Sequence, residues 1–263
     1  AEAAGVASLR SMLDQKAPHY NSNQRSYCTD YTLKRYLHAR KFDVAKAFNM
    51  LTATLAWRKD FDVESISMLK VRGNGETGKV VVRGADREGR PILFLRPGQE
   101  NSKDDHDGNL KHLVYELERA VACMDELRGV GKMLVILDLQ HYSMSNAPPM
   151  KTSRATLHIL QDHYPERLAK FLIIDAPWLF QGFFKIISPF IDKETAAKLV
   201  FVNGKTAEAK REVLSKFVEL NRLPKSIYGD LGDEEFFTAD EYFSDEGVEK
   251  FRKEIIRQRA AFQ

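Results

Sequence analysis

Past Asp43, the apolar residues Val44, Phe48, Leu51 and Leu55 recur at spacings of four, three and four, one stripe of a helix. Asp43 is a suitable N-cap for that helix and Phe61-Asp62 closes it, so the first stretch of chain reads as helical, ending near Lys70. The pattern then turns to strands. Val80-Val81-Val82-Arg83 and Ile92-Leu93-Phe94-Leu95 flank the turn-rich Ala85 to Pro91, which predicts a hairpin. Leu110, Leu113, Leu117, Val121 and Met124 return to helical spacing, and Met133 to Leu137 is apolar on both faces, as a strand covered on two sides must be. A helix from Thr152 to His163, a strand from Phe171 to Ile174 and a helix from Phe183 to Ser188 follow. That alternation predicts an α/β fold with a mainly parallel sheet and flanking helices. The acidic Asp233-Glu234-Glu235 and the charged helix from Val248 to Arg259 are expected to form a solvated appendage. The division expected is 1–70 helical, 71–232 ligand-binding and 233–263 C-terminal segment.

Composition narrows the classes. With 40 basic against 37 acidic side chains, a net charge of +3 is too balanced for a protein whose main partner is nucleic acid. Two well-separated cysteines, Cys28 and Cys123, suggest free thiols and a cytoplasmic setting. Charges interrupt every apolar run before it could span a bilayer, so membrane contact is expected to be peripheral.

Two motifs suggest chemistry without completing it. Gly73 to Lys79 has the spacing of a phosphate-binding loop, but Val80 stands where a hydroxyl should bind magnesium, and a β-type run follows. Lys79 is therefore expected to be dispensable. Lys103 to Gly108 resembles half of a calcium loop, with Val114 in place of the closing glutamate, and reads as a turn before a helix. No metal site, cofactor or catalytic constellation is expected.

Three segments together resemble the CRAL-TRIO family, in particular the fungal-type phosphatidylinositol transfer proteins. They are Tyr36 to Val44, the Asp86-Arg87-Glu88-Gly89-Arg90-Pro91 turn, and the run from Tyr164-Pro165-Glu166-Arg167 through Asp175-Ala176-Pro177 and Pro189-Phe190-Ile191-Asp192 to Thr195-Ala196-Ala197-Lys198. Leu223-Pro224-Lys225-Ser226-Ile227-Tyr228-Gly229 is similar to the closing element, with Asp230 replacing a glycine; the resemblance covers roughly residues 25 to 230. It implies an N-terminal helical subdomain, a lipid-binding domain with an apolar gate helix, and a non-enzymatic carrier that exchanges phosphatidylinositol at membranes, as a monomer when loaded, with lipid kinases as candidate partners.

By the same resemblance, Arg40, Lys41 and Glu166 border the inositol ring. Thr195 and Lys198 would hold the phosphate: Asp192 could cap a short helix carrying both, and a spacing of three would put them on one face. The gate would comprise Phe180, Phe183, Phe184, Ile187 and Phe190. The chain departs from the family where members hold phosphatidylcholine through hydroxyls, having instead Val82, Leu93, Leu117, Met133 and Val135. A phosphate against that wall would lose at least about 2 kcal/mol per missing hydrogen-bonding group. The pattern resembles a branch linked to sterol metabolism, which implies a second, more apolar ligand. A carrier of a sterol or another hydrophobic small molecule, with a vestigial inositol site, is the alternative.

Overall fold

The computed structural model describes residues 2–17, 19–191 and 193–260, and the side chains of Leu179, Phe183, Ile187 and Phe190 lie outside that description. Helices α1 (Glu2–Lys16), α2 (Ser22–Tyr27), α3 (Asp30–Ala39), α4 (Val44–Asp60) and α5 (Met68–Gly75) precede strands β1 (Val80–Ala85) and β2 (Pro91–Leu95). Then come α6 (His106–Ala122), β3 (Met133–Asp138), α7 (Met150–His163), β4 (Leu168–Ile174), α8 (Trp178–Ile187), α9 (Lys193–Ala196), β5 (Leu199–Val202) and α10 (Ala207–Ser215). Three helices close the chain: α11 (Asp233–Phe236), α12 (Ala239–Tyr242) and α13 (Asp245–Ala260). Two compact units result, one of Ala1–Ser65 with Thr156–Arg167 and the other of Ile66–Ala155 with Leu168–Gln263.

The first unit is helical because its apolar stripes have no other way to be buried. Leu9 of α1, Leu33, Tyr36 and Leu37 of α3, and Leu51 and Leu55 of α4 are sealed from solvent in one core. Asp43 caps α4 by accepting the Lys46 N–H at 3.0 Å, as its place in the sequence implies. Lys41 and Phe42 both take positive φ, +50° and +63°, and the Phe42 N–H donates to the Leu37 carbonyl at 2.8 Å. That pair of left-handed residues reverses the chain between α3 and α4.

The second unit holds a five-stranded sheet in the order β1-β2-β3-β4-β5. β1 runs antiparallel to β2, and the other neighbours are parallel. The hairpin turn is organised by Asp86, a buried carboxylate that accepts the N–H groups of Glu88 and Arg90 at 2.9 Å each and Arg90 Nε at 2.7 Å. Gly89 sits there at φ +76°, and a Cβ on it would lie 2.6 Å from Arg259 Cγ, so glycine is needed twice over.

One sheet face, carrying Val81, Ile92, Phe94, Leu134, Ile136, Leu172, Ile174 and Val202, forms the main core with Leu214 and Val218. Phe236, Tyr242, Phe243 and Phe251 belong to that core too, which corrects the expectation of a solvated C-terminal appendage. The segment also covers the outer edge of β1: the Val82 N–H donates to Tyr242 Oη and the Ala85 N–H to Gln258 Oε1, each at 2.7 Å. An edge strand left bare would invite pairing with another chain, and here side chains take up its donors. The helical stretch expected to end near Lys70 instead continues to Gly75 through α5.

Candidate functional site

Strand alternation sends every second residue of the sheet away from that core, and the register lines these residues up in rows. Val82, Leu93, Val135, Phe171 and Leu199 form one row across all five strands. Val80, Leu95, Leu137, Ile173 and Phe201 form the next. The face is therefore apolar from edge to edge, but it is not evenly covered. In the first row Val82, Leu93 and Val135 are 1%, 1% and 6% exposed, whereas Phe171 and Leu199 are only half-buried; in the second row Val80, Leu95 and Leu137 are half-buried, Ile173 is sealed and Phe201 is 41% exposed. On the core face of the same strands Leu172, Ile174 and Val202 are sealed. The partly open end is the one where α8 packs: Phe180 of α8 clusters with Leu139 and Ile173, and Leu137, Tyr142, Phe171 and Phe184 gather around them.

The positions expected to replace the phosphatidylcholine site fall at the sealed end. Val82, Leu93 and Val135 share a row, Met133 lies on the same face of β3, and Leu117 is buried on α6, which packs against β1 and β2. Leu137, Phe171, Leu199 and Phe201 continue these rows toward β5. Period-two alternation marks their face, but only the strand register shows that they continue the same rows.

Helix α8 begins at Trp178, five residues before the helix expected from the sequence. Phe180 is buried and Phe184 half-buried, while the side chains of Phe183, Ile187 and Phe190 lie outside the described residues. Trp178 is 81% exposed and Ile186 50% exposed, with exposed Lys185 on the same helical face.

Of the headgroup candidates, Arg40, Lys41 and Glu166 belong to the first unit and Thr195 and Lys198 to the second. Arg40 caps α3 and Lys41 follows it in the left-handed turn. Glu166 also has positive φ, +60°, in the turn after α7. Thr195 lies on α9, but Lys198 lies beyond its end, in the turn that enters β5, where its N–H donates to the Thr195 carbonyl at 3.0 Å. One shared helical face is thus corrected to one shared turn. Asp192, the expected cap, lies outside the described residues.

The C-terminal ends of the parallel strands carry ionisable groups. Burial pushes the Asp138 carboxyl at the end of β3 up to about 6, against the Gln140 N–H that it accepts at 3.0 Å and the nearby Arg96. Asp175, after β4, pairs with Lys210 and accepts a hydrogen bond from Tyr228 Oη at 2.5 Å, which ties the start of α8 to α10.

Lys79 is not the dispensable loop lysine expected. It is buried, paired with Glu100, and donates to Ser102 Oγ at 2.7 Å and Asn109 Oδ1 at 2.5 Å, while burial lowers its pKa below the usual lysine value. The half calcium loop is a helix start: Asp105 accepts the Gly108 N–H at 3.0 Å and caps α6. A hollow of about 140 Å³ lined by Asn21, Gln24, Tyr27, Leu55 and Arg58 is smaller than the usual ligand cavity. Among the described residues no helix is long and apolar enough to cross a membrane.

Comparison with known proteins gives two family matches, the CRAL/TRIO domain over residues 75–229 and the CRAL/TRIO N-terminal domain over residues 9–53. A CRAL-TRIO domain-containing protein of Schizosaccharomyces pombe is 35% identical over 79% of this chain and 19% of its own length. The phosphatidylinositol transfer protein PDR17 of Saccharomyces cerevisiae is 36% identical over 64% of this chain and 50% of its own. This chain thus spans half or less of these two relatives. SEC14 cytosolic factor of Candida glabrata is 31% identical over 76% of this chain and 70% of its own. The crystal structure of Sfh5 superposes with a TM-score of 0.60 at 18% identity, covering 73% of this chain and 68% of that one, a likeness of fold.

Proposed function

The chain belongs to the CRAL/TRIO domain family of lipid-binding proteins, and from that premise we propose that it binds one phosphatidylinositol molecule and carries it between membrane surfaces. The observation that carries the proposal is the apolar sheet face, whose row of Val82, Leu93, Val135, Phe171 and Leu199 is sealed from β1 to β3 and only half-buried at β4 and β5, where Phe180 and Phe184 of α8 gather. Acyl chains need such a surface, and burying them there removes apolar area from water at about 25 cal/mol per Å². The name of PDR17, a phosphatidylinositol transfer protein, points the same way.

Arg40, Lys41, Glu166, Thr195 and Lys198 are the proposed headgroup contacts, since cations and a hydroxyl suit a phosphate diester and a carboxylate accepts from ring hydroxyls. At the sealed end Val82, Leu93, Leu117, Met133 and Val135 offer no hydroxyl, which supports a second ligand more apolar than phosphatidylcholine. The exposed Trp178, Lys185 and Ile186 give α8 the aromatic, cationic and aliphatic exterior suited to an anionic bilayer surface.

The test is extraction and mass spectrometry of lipid from the chain purified from a eukaryotic host. Phosphatidylinositol near one molecule per chain is expected. A neutral lipid alone, with no phosphatidylinositol even after incubation with vesicles containing it, would replace this reading with that of a carrier of a hydrophobic small molecule.

A further inference from the structure

His163 closes α7, and its ring is packed between residues of α4 within the same unit. It stacks on Trp57 with centroids 4.1 Å apart and planes 6° from parallel, and Nδ1 lies 3.1 Å from Thr54 Oγ1. Thr54 Oγ1 also donates to the Asp162 carbonyl at 3.1 Å, which leaves its lone pairs to accept from an Nδ1–H. His163 is 5% exposed and Thr54 fully buried.

The ring anchors a turn. Immediately after it come Tyr164, Pro165 and Glu166, with Glu166 held at φ +60°. From α3, Tyr36 Oη donates to the His163 carbonyl at 3.4 Å and Arg35 Nη1 to the Pro165 carbonyl at 2.8 Å, while Tyr164 meets the Trp57 ring edge-on at 6.2 Å. Glu166 is therefore three residues from a buried aromatic stack, on a backbone whose conformation is unfavourable unless its surroundings hold it.

We propose that His163 is a positioning residue whose neutral ring keeps the Glu166 turn in its binding geometry, so that protonating the ring releases the turn and, with it, the bound headgroup. This rests on the phosphatidylinositol reading above and adds regulation to it.

The surroundings of the ring oppose a positive charge. From α4 it faces Arg58, a buried cation paired with Glu64 at 3.0 Å, and from its own helix His158 and Asp162, which are bound to each other at 2.5 Å. From α3 come Arg35 and the Tyr36 hydroxyl. Burial, with His158 and Arg58 adding to it and Asp162 opposing, lowers the His163 pKa to about 4 from an ordinary 6.5.

The sign follows from linkage. A ring in place binds its proton only near pH 4, whereas a released ring binds it near 6.5, so the released state gains as pH falls through that window. Between about pH 7.4 and about pH 5 the released population rises roughly thirtyfold relative to the held one. A membrane surface with a negative potential concentrates protons and pushes in the same direction.

The test loads the full chain with fluorescent phosphatidylinositol and follows its release to excess phosphatidylcholine vesicles, which are zwitterionic at both pH values. Release from wild type is expected to accelerate by roughly ten- to thirtyfold between about pH 7.4 and about pH 5. His163→Phe keeps a stacking ring without the titration, and its release should change less than about threefold between the same two pH values. The same acceleration in His163→Phe would overturn the proposal. A ligand-free arm on wild type needs no variant: the His163 Cε1 resonance and the Arg167 amide should titrate with a common midpoint in NMR. An Arg167 amide that stays flat while His163 titrates would also overturn it. Failure of wild type to load phosphatidylinositol at neutral pH would count against the function proposed above, and the NMR arm would still decide the role of His163.

Discussion

Lys79→Ala is expected to destabilise the sheet-containing unit by about 3–5 kcal/mol, the usual cost of leaving one member of a buried ion pair without its partner. The Lys79 and Glu100 side chains are 6% and 11% exposed, so water cannot take over the role of the ammonium. Ser102 and Asn109 lose a charged donor at the same time. Urea unfolding measures the loss as a lower midpoint with an unchanged slope. The double change Lys79→Met with Glu100→Gln should recover most of it, because it removes both charges and keeps the volume. A single mutant within about 1 kcal/mol of wild type would contradict the buried-pair reading.

The second large effect concerns the headgroup. Glu166→Ala and Lys198→Ala are each expected to slow phosphatidylinositol transfer between vesicles by about ten- to a hundredfold, from the loss of charge-assisted hydrogen bonds of about 1.5–3 kcal/mol. Lys198 contributes its backbone to the entry of β5, its carbonyl accepting the Phe171 N–H at 3.0 Å, and alanine keeps that bond. The fold should therefore survive. Glu166 lies at φ +60°, where any residue with a Cβ is strained, and Glu166→Gln is the companion variant because it keeps the side chain's size and removes only its charge. Thermal melting separates the two effects. Wild-type transfer rates in properly folded Lys198→Ala and Glu166→Gln would remove both residues from the headgroup site.

Much of this architecture is legible before any coordinates. The stripe at Val44, Phe48, Leu51 and Leu55 and the cap at Asp43 become α4, and the runs at Val80, Ile92, Met133 and Phe171 become strands β1 to β4. β5 is harder to read, since Leu199-Val200-Phe201-Val202 is only four residues long. The C-terminal helices mislead for a different reason: Phe236, Tyr242, Phe251 and Ile255 are diluted among charges, although they supply a buried face.

The site is less legible than the fold. Lys79 and Glu100 are 21 residues apart, and no local pattern signals that they meet. The rows on the sheet depend on a register that shifts between Val82 and Ala85, which composition cannot supply. His163 appears in the sequence only as a polar residue ending an amphipathic helix. Its stack on Trp57 is a long-range contact that helical spacing does not encode.

The most direct test of the central claim is transfer of labelled phosphatidylinositol and labelled phosphatidylcholine by wild-type protein, measured side by side between vesicles of one composition. Phosphatidylinositol should move well above the spontaneous rate, with phosphatidylcholine at background, because Val82, Leu93, Leu117, Met133 and Val135 present no hydroxyl to a second phosphate. Equal and robust transfer of both lipids would show that these positions do not form a headgroup wall. No transfer of phosphatidylinositol would contradict the carrier itself.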